Sequence, residues 1–261
     1  MTILKIFQKK SAPPACRRIH LMDELRGFAV VCMVFYHAFY TLSFLLGWQW
    51  CKDLLNFFLP AEPWFAGLFI FLSGIASNLS RSNLKRGLKL LAVALVVSAV
   101  TILVVPSEPI YFGILHLLSI SMILVGLTKK WLDKIPVWIG LAVCAAGILF
   151  TMYLYRGFLG FGSIPLIHLP RSWYTTDWLM PLGIYSSSFF SSDYFPIFPW
   201  LFVFLGGTLF GRFASQGKFP AFSYRSRIPP LAFLGRHALV VYVLHQPVIY
   251  GIGLLIQFFA K

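Results

Sequence analysis

The stretch that decides the fold is DELRGFAVVCMVFYHAFYTLSFLL, residues 23–46. It is long and apolar enough to cross a bilayer, whose hydrocarbon core asks for about 20 apolar residues of helix. Yet Asp23, Glu24 and Arg26 stand at its start and His37 in its middle. A charge at bilayer depth costs about 2.5–3.5 kcal/mol on insertion scales, so such groups face a bundle interior or a wet cavity. Arg26 and His37 are eleven positions apart, which places them on one helix face, about 16 Å apart along the axis. Asp23 precedes Arg26 by one turn and can pair with it on that face. The helix therefore carries a polar stripe, with an ion pair at its mouth and an imidazole near mid-membrane.

The rest of the chain has the same character. Of its 261 residues 59% are hydrophobic and 11% charged, whereas a soluble domain carries about 25% charged residues. Further apolar runs lie near 64–80, 87–105, 110–127, 135–155, 196–213 and 231–259. Together with the first they predict an all-α, polytopic transmembrane bundle of seven spans. The last run is long and carries Pro247, so it is expected to kink there or to split in two.

The net charge of +14 would suit nucleic acid, but its placement argues otherwise. With the N-terminus inside, all but Lys52, Arg156, Arg171 and Lys261 of the 22 basic residues fall on the inner side. That is the positive-inside pattern, and it predicts an N-in, C-out topology with the charge serving orientation and lipid contact. Residues 1–19, with Lys5, Lys9, Lys10 and Arg17, read as a basic cytoplasmic segment. They lack the apolar core of a cleaved leader, so the first span is expected to be retained. Residues 20–261 then form a single transmembrane domain.

Cys16, Cys32, Cys51 and Cys144 are scattered, with no CxxC or zinc spacing, so neither a disulfide nor a metal is expected. The connections are short except for an outer segment at about 156–195, which contains RSWYTTDW and SSSFFSSDYFP. Its aromatic faces, hydroxyls and acids suit a sugar or an amine, and equally an interfacial aromatic belt. GTLFG, with Gly207 and Gly211, offers a helix-packing surface.

Two more histidines fall at membrane depth, His116 in FGILHLLSIS and His245 in VVYVLHQPVIYG, while His237 follows Arg236 at the inner end of the last run. Three intramembrane histidines in one small bundle point to a shared polar cavity. A basic inner mouth and an imidazole at the waist would admit a phosphate-bearing donor from the cytoplasm, with a neutral His37 as proton acceptor. The same stripe would also line a transporter or proton-coupled permease, or serve only as glue in a structural membrane subunit.

At these residues the chain resembles the heparan-α-glucosaminide N-acetyltransferase catalytic-domain family, within the transmembrane acyltransferase superfamily. DELRGFAVVCMVFYH is similar to that family's opening motif. FIFLSGIASNLSRSNLKRGLKLL, IYFGILHLLSISMIL, SSDYFPIFPWLFVFLGGTLFGR and LAFLGRHALVVYVLHQPVIYG follow in order and resemble its short bacterial members. Asp23, Arg26 and Gly27 match the first motif, His116 the fourth-span motif and Asp193 the outer-loop motif. Gly235, Arg236, His237, His245 and Gln246 match the last.

The resemblance implies transfer of an acetyl group from cytoplasmic acetyl-CoA to an amino group or hydroxyl of a sugar or glycan on the outer side. It also implies an integral protein of the bacterial cytoplasmic (inner) membrane. One departure is visible. The animal members place their proposed catalytic histidine in the connection after the first span, and here residues 47–63 contain none, which leaves His37 as the nearest.

The expected catalytic residues are His37, His116 and His245. Arg26, Arg81, Lys85, Arg86 and Arg236 are expected to contact the CoA phosphates, for which a guanidinium fork is suited. Asp23, Trp173, Asp177, Asp193 and Tyr194 are expected to hold the acceptor. Membrane lipids, acetyl-CoA and a sugar or glycan are the implied partners, without nucleic acid, and a homo-oligomer is compatible with the sequence. Gly27 and Gly74 read as packing positions.

Overall fold

A computed structural model describes residues 18–259. The basic segment as far as Arg17, together with Cys16 and Lys261, lies outside the described residues. Within them the chain is mainly helical: α1 (His20–Leu46), α2 (Gln49–Phe58), α3 (Glu62–Ser77), α4 (Asn83–Val104), α5 (Ile114–Leu132), α6 (Val137–Thr151), α7 (Ile197–Ser215), α8 (Pro229–Arg236) and α9 (Ala238–Phe259). Seven helical stretches are long and apolar enough to cross a membrane. Between α6 and α7 a small antiparallel hairpin, β1 (Phe158–Phe161) with β2 (Ile164–His168), precedes a run of short 3-10 turns.

Two boundaries differ from those read in the sequence. The connection expected at 47–63 is largely helical, because α2, a 3-10 turn at Leu59–Ala61 and α3 form one crossing from Gln49 to Ser77. Gly47, with φ +64°, ends α1 in the left-handed conformation that glycine adopts without strain. Lys52, Asp53 and Asn56 then dilute the hydropathy of α2 without breaking it, and Gln49 donates to Asp53 one turn on at 2.9 Å.

The last apolar run does split, but at His237 rather than at Pro247, which stays inside α9. The cause is packing against α1. A Cβ on Gly27 would lie 2.7 Å from the Leu231 carbonyl carbon, and one on Gly235 would lie 2.8 Å from that of Asp23. Only paired glycines let α1 and α8 approach this closely. Glu24 fixes the start of α8 by accepting from Ser226 Oγ (3.1 Å), Arg227 N (2.6 Å) and Ile228 N (2.9 Å).

A second glycine contact joins α3 to α7. A Cβ on Gly74 would meet Thr208 N at 2.9 Å, and one on Gly211 would meet Ile75 O at 2.7 Å. Both glycine readings therefore hold: Gly27 and Gly74 pack, and the GxxxG of α7 faces α3. The buried core beside this crossing comprises Ile70, Leu117, Val125 and Phe204, with Phe112 and Phe195 from the flanking loops.

Candidate active site

A cavity of about 240 Å³ lies among α1, α3, α5, α9 and the loop before α7. His37 and Tyr36 line it from α1, Glu62 from the first turn of α3, Tyr242 from α9, and Ser192, Asp193 and Tyr194 from the loop. The walls between them are apolar, including Met33, Phe65, Ala66 and Phe69. Among the described residues no lysine or arginine lines it.

Asp193 is the most constrained of these groups. Its loop is strapped to the segment before α5 by Ser192 N to Pro109 O and Phe195 N to Phe112 O, each 3.0 Å. Ser192 Oγ also donates to Glu108 at 2.6 Å, and the Tyr40 hydroxyl donates to the same carboxylate at 3.3 Å. Asp193 Oδ2 then accepts from Ile114 N at 3.1 Å and from the Tyr242 hydroxyl. A distant carboxylate thus caps α5, where free amides and the helix dipole favour negative charge. Glycine at 113 makes room, since a Cβ there would lie 2.8 Å from Asp193 Cγ. Burial pushes the Asp193 carboxyl up from the usual range, and its two hydrogen bonds pull the other way.

His37 makes no hydrogen bond among the described residues, and its ring lies 5.0 Å from that of His245. The His245 Nδ1 sits 2.5 Å from the Tyr242 carbonyl oxygen, so it donates there, and Nε2 is left buried without a partner. One turn further along the same seam Thr41 donates to Gln246 at 3.2 Å. The two imidazoles therefore form a pair whose ring nitrogens are not consumed by the scaffold, apart from the one that orients His245.

The three histidines do not share one space. His116 is buried beneath Phe112, where its Nδ1 accepts from Gly113 N at 3.3 Å and completes the turn at the start of α5. It does not line the cavity. Nor does Arg26, although it shares a face of α1 with His37. The periodicity that aligns those two also puts Val30 and Met33 on that face, and Ala29, Val30 and Met33 line the cavity on the side toward Arg26.

Arg26 shares a single carboxylate with Arg18. Asp23 lies 3.6 Å from it and 2.7 Å from Arg18. Asp23 does not line the cavity that holds Asp193 and Tyr194. Arg86 acts electrostatically on Arg26, and Arg81, Lys85 and Arg86 are exposed around the start of α4. Ser82 caps that helix by accepting from Lys85 N. Arg236 is exposed at the end of α8. Arg212 is spent on the Leu132 and Ile135 carbonyls.

The loop residues divide. Asp193 and Tyr194 line the cavity, with the Tyr194 hydroxyl held by Met180 O at 2.7 Å. Asp177 accepts from Ser186 N and lines a separate groove with Trp178, Tyr111 and Phe190. Trp173 is on an exposed 3-10 turn, away from the cavity.

The family model described as heparan-alpha-glucosaminide N-acetyltransferase, catalytic, matches residues 18–247. The chain belongs to this family. No curated protein and no solved structure matches it. Membership in the heparan-alpha-glucosaminide N-acetyltransferase catalytic family, with seven apolar helices, marks it as an integral membrane protein of acetyltransferase type. Every residue of the cavity falls inside the matched region. Among the described residues no group of three or more His, Cys, Asp or Glu side chains is placed to hold a metal ion.

Sequence reasoning missed Glu62, Tyr242 and Ser192. Glu62 was open to the same argument as His37, being one of only eight acidic residues and directly ahead of a span. Tyr242 stands three residues before His245, and so on its helix face. Ser192 gave no signal apart from its neighbour.

Proposed function

We propose that the protein transfers an acetyl group from acetyl-CoA to an amine of a sugar or glycan, with His37 as general base. One observation carries the reading: on the wall of a cavity inside a bundle of acetyltransferase type, His37 has no hydrogen-bond partner among the described residues, and two carboxylates and a tyrosine hydroxyl share the space with it. The donor would enter from the cytoplasm. Arg81, Lys85 and Arg86, with Arg26 behind them, suit its phosphates, and its extended thioester arm would pass Ala29, Val30 and Met33 to reach His37. These apolar walls fit an uncharged arm and not a phosphate.

The acceptor would come from the side of the 156–195 segment, with Asp193 and Tyr194 at its contact. The amine nitrogen attacks the thioester carbon, and His37 takes the proton that the nitrogen sheds. The carbon–sulfur bond breaks, and the thiolate leaves as the thiol. His245 lies behind His37 and would fix its ring, or take up the proton at Nε2. Tyr242 spends its one hydroxyl proton on Asp193, so it would orient that carboxylate on the cavity wall toward the acceptor. His116 would act only by setting the start of α5.

The test is release of CoA from acetyl-CoA on adding D-glucosamine to the purified protein in nanodiscs. His37→Ala is expected to lower kcat by about 10²–10⁴-fold, the usual contribution of a general base, with the thermal midpoint unchanged. Arg86→Ala is expected to raise the KM for acetyl-CoA. A His37→Ala protein with wild-type turnover removes the assignment. Counterflow of glucosamine in liposomes without loss of thioester would support a permease instead.

A further inference from the structure

Glu62 is an ionisable group for which the scaffold supplies no use. It opens α3, ahead of Pro63, and its side chain lines the cavity with His37 and Asp193. Among the described residues its carboxylate has neither a hydrogen bond nor a salt bridge, and the nearby group that acts on it electrostatically is another carboxylate, Asp193. Structural carboxylates in this protein look different. Glu24 accepts three hydrogen bonds, Glu108 is held by Tyr40 and Ser192, and Asp193 by Tyr242 and a helix amide. A carboxylate left without a counter-charge in a pocket that, among the described residues, holds no lysine or arginine is compensated by a proton or by a cation from outside.

We propose that Glu62 is a specificity-determining residue that holds the acceptor's ammonium group as its counter-ion beside His37. The proposal rests on the transfer reading above and deepens it. It makes the cavity selective for amines over hydroxyls of the same shape, because a hydroxyl leaves the carboxylate uncompensated. It also gives product release a cause. R–NH3⁺ and acetyl-CoA yield the neutral amide R–NH–CO–CH3, CoA thiol and one proton. The ammonium loses one proton to water before attack, and the nitrogen passes a second through His37 to the departing sulfur. The ion pair with Glu62 ends with the first of these protons, and the neutral amide cannot re-form it, so the product is held only by neutral contacts.

The probes are D-glucosamine, D-glucose as its hydroxyl counterpart and N-acetyl-D-glucosamine as the product, measured on the full chain in nanodiscs. Glu62→Gln is expected to raise the KM for glucosamine by at least about tenfold, the loss typical of a charge-assisted contact, and to leave the Kd for acetyl-CoA within about twofold. Glu62→Asp, which keeps the charge, is expected to recover part of that loss. By calorimetry, glucosamine is expected to bind the wild type more tightly than N-acetylglucosamine or glucose, and Glu62→Gln to erase the difference. An unchanged KM in a folded Glu62→Gln protein, or equal turnover of glucose and glucosamine by the wild type, overturns the proposal and leaves the transfer reading standing. Absence of turnover with every amine, alongside Glu62-dependent binding of glucosamine, sinks the transfer reading and keeps the ammonium site. Binding that does not discriminate ammonium from amide removes the ammonium site as well.

Discussion

Substituting Gly27 by alanine tests the contact on which the Arg26 end of the bundle depends. The new Cβ would sit 2.7 Å from the Leu231 carbonyl carbon and 3.1 Å from Gly235 N. Carbon atoms pack at about 3.5–4.0 Å, so α1 and α8 must part by roughly 1 Å. The obstacle is backbone, so no rotamer change can relieve it. Overpacking of this kind costs about 1–3 kcal/mol, and with backbone on both sides the upper end applies. For a chain of this size that corresponds to a fall of about 6–12 °C in thermal midpoint. Gly251→Ala is the internal control, because nothing lies within 4 Å of a Cβ there and alanine is the better helix former. The assay is thermal unfolding of both variants in one detergent, followed by intrinsic fluorescence. Equal midpoints for Gly27→Ala and Gly251→Ala would refute the close α1–α8 approach, and with it the placing of Glu24 and Asp23.

Other outcomes follow from single contacts. Glu24→Ala strips the acceptor from Ser226, Arg227 and Ile228, at about 1–3 kcal/mol for each buried donor left bare, and limited proteolysis should then cut between α7 and α8. Tyr242→Phe and Asp193→Asn share one contact, so their losses in stability should combine less than additively, with a coupling above about 0.5 kcal/mol in a double-mutant cycle. Because burial raises the Asp193 carboxyl, the folded chain keeps a proton that the unfolded chain has already lost once the pH exceeds the ordinary carboxylate range. The stability contributed at low pH is lost as the pH rises through the raised value. The midpoint of the wild type minus that of Asp193→Asn should therefore decline over that window, and an increase would contradict the burial of this group.

The spans were legible because hydrophobic length is a one-dimensional property, and α7, expected at 196–213, could be read almost to its ends. What failed was local. The polar residues of α2 lowered the hydropathy of a segment that is nonetheless helical, and the split of the last run depends on Gly235 meeting α1, which no proline signal could report. At the site, helical phase correctly aligned Arg26 with His37, yet the same phase admitted Val30 and Met33 between them. Asp193 was singled out from a loop motif, but its neighbours Tyr242 and Ile114 come from helices remote in sequence. Glu62 was passed over because it was assigned to a connection, and the depth argument was applied only inside spans.

α1 runs from His20 to Leu46 without an internal proline or a break. Arg26 and His37 are thus graduations on one rigid rod, and their interval is indifferent to how the remaining helices breathe around it. A single residue inserted between them would lengthen that interval by only about 1.5 Å but would swing the imidazole through about 100°, off the cavity wall. Under the proposed transfer, the register of one helix would set both the reach demanded of an acyl donor and the direction from which its carbonyl is met.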